Sequence, residues 1–251
     1  MRKIIYPTIF LLSFFSSATA QDSILHRIIF IGDAGEINGW QKSTIANAAT
    51  KVLPGKTSMF YLGDNIYPSG LSLPGNPGEE STREILKSQY LPIRAAGSPV
   101  YFIPGNHDWD KSGPEGLAKI KYMGQFLKEQ GDSLLQIVPK NGCPDPVEIR
   151  LAPNLTVIAF DSEWWLFPYN KNNPNGGCEC KTKKDVIAKL QELRYRNRNR
   201  IILLACHHPF QTNGEHGGNF TLANHIFPLT AFKKNLFIPL PIIGSIYPVF
   251  R

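Results

Sequence analysis

The stretch SMFYLGDNIY, residues 58–67, runs through apolar and aromatic side chains and then stops abruptly in Gly63, Asp64 and Asn65. Such a run reads as a buried strand, and here its end carries residues able to hold a metal. The same pattern recurs in RIIFIGDAG (27–35), VYFIPGNHDW (100–109), TVIAFDSEW (156–164) and IILLACHHP (201–209). Helical patterns lie between several of these strands, at residues 40–53, 81–90, 116–130 and 183–195. Strands alternating with helices imply an α/β fold whose sheet faces are covered by helices. LLQIV (134–138) and PVEIRLAPNLTVIAF (146–160) follow one another without a helix, so part of the sheet system is expected to be mixed or antiparallel.

The composition suits such a core. Of 251 residues, 42% are hydrophobic and 19% charged, which is ordinary for one globular domain. The leader MRKIIYPTIFLLSFFSSATA has Arg2 and Lys3, an apolar run from Ile4 to Phe15, and a small-residue end at Ala18, Thr19 and Ala20. It reads as a secretory signal over residues 1–20, leaving 21–251 as the domain and predicting export to a periplasm, a lumen or the medium. The later apolar stretch LFIPLPIIGSIYPVF (236–250) contains Pro239, Pro241 and Pro248, which argue against a membrane helix. It is expected to be a buried extended segment or a protein contact.

Export permits disulfides, and a bridge from Cys143 to Cys178 or to Cys180 is expected. Cys178 and Cys180 could also begin a zinc site, although no matching pair follows. Cys206, after IILLA, reads as a small buried filler. The formal charge is +7, and residues 181–200 hold eight basic and two acidic residues. That segment has few aromatics for stacking bases, so it reads as a solvated helix face and no nucleic-acid partner is expected.

The strand ends carry the functional signal, because sites in open α/β sheets form beyond the carboxyl ends of the strands. Asp33, Asp64, Asn106 and His207 each occupy such an end. Taken singly, each has a modest explanation as a turn or cap residue. Delivered together, the carboxylates would repel one another unless a cation neutralised them, and mixed oxygen and nitrogen donors suit Fe, Mn or Zn. A carboxylate can bridge two ions, and Asp64 is the natural candidate.

The ordered set GDAG, GDNIY, GNHD and LACH resembles the calcineurin-like metallophosphoesterase superfamily, from about Arg27 to Gly218. Tyr67, three residues after Asp64, is similar to the purple acid phosphatase branch, especially its tartrate-resistant type. The resemblance implies a four-layer αββα sandwich with mixed sheets. It further implies a centre of Fe(3+) plus a divalent ion (Fe, Zn or Mn). Asp33, Asp64 and Tyr67 would hold the ferric ion, and Asp64, Asn106 and His207 the other. His107 and His216 look like the histidines that orient a small phosphorylated substrate and protonate its leaving group, and Asp108 is expected to hold His107 in the correct tautomer. The implied activity is hydrolysis of phosphate monoesters by metal-bound hydroxide, with phosphodiester hydrolysis or a noncatalytic exported binding module as alternatives.

Three further residue groups have smaller expected roles. His208 reads as packing or rim, and Asp161 as a structural support. Trp109, Trp164, Trp165 and Phe167 form either a cleft wall or a packed loop cluster. The family pattern ends in a Gly-His-x-His motif that supplies one imidazole to each metal, and none occurs here. The chain is therefore expected to be a shortened form, its fold incomplete at the C-terminus, or else complete with full metal binding lost.

Overall fold

The computed structural model describes residues 24–171, 173, 175–212, 220–231, 233, 235–240 and 243–246. The leader, residues 1–20, lies outside this set, as does His216.

Four strands form the first sheet: β1 (Arg27–Ile31), β2 (Thr57–Leu62), β3 (Val100–Ile103) and β4 (Leu135–Ile137), all parallel and in the order β1-β2-β3-β4. Parallel neighbours need crossovers, which α1 (Gly39–Thr50), α2 (Glu79–Ala95) and α3 (Gly116–Glu129) provide. The second sheet pairs β5 (Val147–Ala152) antiparallel with β6 (Leu155–Ala159), and β6 parallel with β7 (Ile201–Ala205). Its β6–β7 crossover contains a short α4 (Ser162–Leu166) and α5 (Lys183–Arg196), and α6 (Leu222–Ile226) follows β7.

Side-chain alternation explains how the layers stack. On β2, Met59 and Tyr61 face a core shared with Ile45 of α1, Leu86 and Ile93 of α2, and Ile120 of α3. Phe60, between them, faces the other way, toward Val157 and Ala159 of β6 and Ala205 of β7. A strand apolar on both faces belongs in the middle of a sandwich. Beyond the second sheet, Leu193 of α5 is buried, the Asn197 carboxamide contacts Thr156 on β6, and Arg196 pairs with Glu148 on β5. The layers therefore run helix, sheet, sheet, helix, the four-layer α/β architecture with one parallel and one mixed sheet expected from the sequence.

Local chemistry sets several boundaries. Asn38 caps α1 by accepting the Gln41 N–H, and Thr182 caps α5 in a reciprocal box with Asp185. The second helix continues past Tyr90 and through Pro92 to Ala95, because Ile93 packs fully buried against the sheet. The helix α4 was not expected: Asp161 turns the chain by accepting the Trp164 N–H. Between β4 and β5 the chain makes a 3-10 turn at Lys140–Gly142 and changes sheets, so LLQIV and PVEIRLA are neighbours in sequence but not in hydrogen bonding.

Three loop expectations are resolved. Cys143 bridges Cys178, Cys180 is a buried free thiol, and the cluster of Cys143, Asp145 and Cys178 is accounted for by that bridge rather than by zinc. Trp109 and Phe167 pack 4.7 Å apart and are buried, as is Trp164, so these three form a packed loop cluster, whereas Trp165 lines a cleft with Leu166, His208 and Phe210. Cys206 is half-buried rather than a core filler; its thiol donates to the His208 carbonyl, and burial pushes its pKa up to about 11.

For the late apolar stretch, expected to be a buried segment or a protein contact, the first alternative does not hold among the described residues. Phe237, Ile238, Ile243 and Ile246 are exposed rather than buried. No helix among the described residues is long and apolar enough to cross a membrane.

Candidate metal centre

The first-sheet strands deliver their terminal residues to one place. Asp33 follows β1 and its backbone N–H donates to Gly63 O, which ties the β1 loop to the end of β2. Asp33 and Asp64 both adopt left-handed backbone, with φ of 56° and 53°. Non-glycine residues held there are uncommon and cluster where function over-determines the backbone.

Asp64 is buried and sits between two groups of donors. Its Oδ2 accepts from the Tyr67 hydroxyl at 3.1 Å, and that hydroxyl also lies 2.9 Å from Asp33 Oδ1. Its Oδ1 accepts the His107 backbone N–H at 3.0 Å and lies 3.4 Å from His207 Nε2. His207 Nε2 is in turn 3.2 Å from Asn106 Oδ1. One carboxylate thus touches an Asp33–Tyr67 pair with one oxygen and an Asn106–His207 pair with the other.

The protonation pattern adds a physical argument for a cation. A carbonyl can only accept, so the 2.8 Å contact from His207 Nδ1 to Leu62 O places the ring hydrogen on Nδ1. In the neutral ring Nε2 then offers a lone pair, and it faces the carboxylate oxygen of Asp64 and the carboxamide oxygen of Asn106. Three electron donors converge there, and either a ring proton or a metal cation among them offsets their repulsion. The Tyr67 phenol is similar: burial, followed by its bond to Asp33 and the charge of Asp64, pushes its pKa far above the usual phenol value. A cation in place of the phenol proton would reverse that balance.

Glycines make this crowding possible. A Cβ on Gly105 would stand 2.4 Å from Asp64 Oδ1, and one on Gly63, whose φ is +90°, would stand 2.5 Å from His207 Nδ1. The PGNH and LGD motifs therefore need glycine because side chains of the site occupy the space.

Each expected site residue can now be placed. Asp33, Asp64, Tyr67, Asn106 and His207 are brought together, with His107 at their edge: its Nε2 is 3.8 Å from Asp64 Oδ2 and its ring meets Tyr67 edge-on at 4.5 Å. His216 lies outside the described residues.

The expectation for Asp108 is corrected. His107 Nδ1 is held by Pro68 O, not by Asp108. Asp108 is buried and accepts the backbone N–H groups of Asn65, Ile66 and Gly105, and the Asn65 side-chain amide. Burial pushes its pKa up to about 7, against the lowering effect of the N–H groups. Its work is to clamp the loops after β2 and β3 to each other.

Sequence reasoning passed over Ser112, Ser162 and Glu163. Glu163 is buried on α4, accepts from the Ser112 hydroxyl at 2.8 Å, and lies 3.7 Å from His208 Nε2; its pKa is raised by burial. The Ser162 hydroxyl meets His208 Nδ1 at 2.9 Å. These contacts make His208 part of the rim, turned away from the Asp64 oxygens. Asp161 followed two residues later by Glu163 was the available signal, since a cap residue opens a turn whose next side chains point back at the strand ends. Asp161 itself accepts from Trp109 Nε1 at 2.7 Å and is structural.

No curated protein matches the chain. One solved structure, that of the protein of unknown function AQ665 from Aquifex aeolicus, is 17% identical over 74% of this chain and 81% of that chain, with a TM-score of 0.35. The sequence model of the calcineurin-like phosphoesterases matches residues 26–236, which span both sheets and every described residue of the centre. The chain belongs to the calcineurin-like phosphoesterase family.

Proposed function

We propose that this protein is an exported phosphomonoesterase of the purple acid phosphatase type, working through a binuclear centre of Fe(3+) and a divalent ion. The observation that carries the reading is the position of Asp64, with one oxygen toward Asp33 and Tyr67 and the other toward Asn106 and His207. Bound there, two cations would supply a nucleophilic water at mild pH and offset charge on the phosphoryl oxygens.

The protein's own groups complete the task. Tyr67, bonded to both aspartates, favours the purple type, since a phenolate is a fitting ferric ligand. His107, its Nδ1 fixed by Pro68 O, turns Nε2 toward the centre, where a protonated imidazole can hydrogen-bond the substrate and release its proton to the departing oxygen. His216 is assigned the companion role by resemblance. The Cys143–Cys178 bridge supports export to an oxidising compartment.

The lack of a Gly-His-x-His motif favours a second reading, an exported module that keeps the fold and does no chemistry.

Metal analysis with p-nitrophenyl phosphate turnover separates the two. Two metals per chain and turnover, with a tyrosinate-to-iron absorption band lost in Tyr67→Phe, is the expected result. A folded protein that binds no metal from iron and zinc solutions and has no turnover overturns the phosphatase.

A further inference from the structure

We infer that the cleft beside Asp33 and Tyr67 is a subsite for a planar aromatic leaving group, which stacks on Trp40. This rests on the phosphatase reading above and adds the class of ester.

The cleft, of about 230 Å³, is lined by residues including Ile31, Asp33, Glu36, Trp40, Thr44 and Tyr67. Asp33 and Tyr67 belong to the centre, so whatever fills the cleft adjoins it. Trp40 is 85% exposed, while Trp109 and Trp164 are buried in the core. The packing of α1 is carried instead by Gln41, Ile45 and Ala48, so the indole has no structural duty in the helix. Single exposed apolar residues are common, but this one is the largest side chain type, walls a concavity, and stands next to a candidate catalytic centre.

Size and charge narrow the ligand. Sites that engulf a whole drug-sized molecule are roughly 300–1,000 Å³. A smaller cleft takes one ring system, with the phosphate held outside it by the centre. Glu36 is exposed on the cleft wall. Its carboxylate disfavours a leaving group that carries additional phosphates, and admits a neutral ring. Hydrolysis of such an ester breaks the bond from phosphorus to the leaving oxygen; water supplies the new oxygen on phosphorus, and a proton goes to the aromatic alcohol or nucleoside. The shared chemistry is an aromatic face, which a phenol or a nucleobase can each present.

Indole fluorescence and substrate preference test this on the full chain. Adenosine and N-acetyltyrosinamide, which carry no phosphate, are titrated while tryptophan emission is read. Saturable quenching that disappears in Trp40→Phe is expected, and the ligand that saturates at lower concentration identifies the ring. The ratio of kcat/KM for adenosine monophosphate and phenyl phosphate to that for glycerol 2-phosphate is expected to fall about 5-fold in Trp40→Ala and to persist in Trp40→Phe, the scale of one aromatic stacking contact. An unchanged ratio in Trp40→Ala overturns the subsite. Trp40-dependent quenching without turnover of any ester would retain the subsite and remove the phosphatase. Turnover without aromatic preference would do the reverse.

Discussion

Strands β2 and β7 both end in a residue of the centre, yet their surroundings are opposite. The second strand is bonded on both sides, to β1 and β3, and Met59, Phe60 and Tyr61 are wholly buried. Among the described residues the seventh is bonded only to β6, and Ile201 is 57% exposed. After β2, Asp64 is fixed by the clamp that Asp108 makes on Asn65, Ile66 and Gly105. After β7, His207 is held through one ring contact to Leu62 O and through its neighbours in the centre. The difference teaches that the first sheet builds the framework, and that the second lends it His207 from a less supported edge.

Removing the shared carboxylate should give the largest effect. Asp64→Ala is expected to lose both cations and to lower turnover by about 10³-fold or more, whereas His207→Ala should lose one cation and keep the other. Metal content per chain together with phosphate release reads both, and equal metal loss in the two variants would remove the distinction between the strands.

Core truncations come next and sharpen the contrast. Phe60→Ala should cost about 3–5 kcal/mol in denaturant unfolding, because it leaves a cavity between the sheets. Ile201→Ser should cost only about 0.5 kcal/mol, being more than half exposed already. Similar costs would mean that β7 is covered in solution.

The clamp should give a smaller change in stability than Phe60→Ala, read chiefly at the centre. Asp108→Ala leaves buried N–H groups without an acceptor, at about 1–3 kcal/mol, and should loosen the Asp64 loop. Weaker metal binding with little change in the His107 orientation is expected from titrations and from histidine resonances. Unaltered metal affinity would show that the loops hold without it.

Much of this was legible beforehand for identifiable reasons. RIIFI, SMFYL and VYFI are apolar on both faces, and only a strand covered on both sides can bury them. The left-handed turns at Asp33 and Asp64 follow directly, so their side chains had to emerge at one sheet end. Asp108 was misassigned because adjacency to His107 in sequence says nothing about direction: the carboxylate turns inward to three backbone N–H groups while the imidazole turns outward. Glu163 was missed because α4 has only five residues, too few to leave a periodic pattern.

The sequence alone determined the α/β class, the strand ends and the ordered motifs, since these depend on local burial patterns and on residue chemistry at fixed spacing. Tertiary structure alone decided that Asp108 clamps rather than orients, that Cys178 rather than Cys180 bridges Cys143, and that Trp40 walls a cleft. Each of those depends on distances between segments far apart along the chain, and such distances exist only once the two sheets have packed.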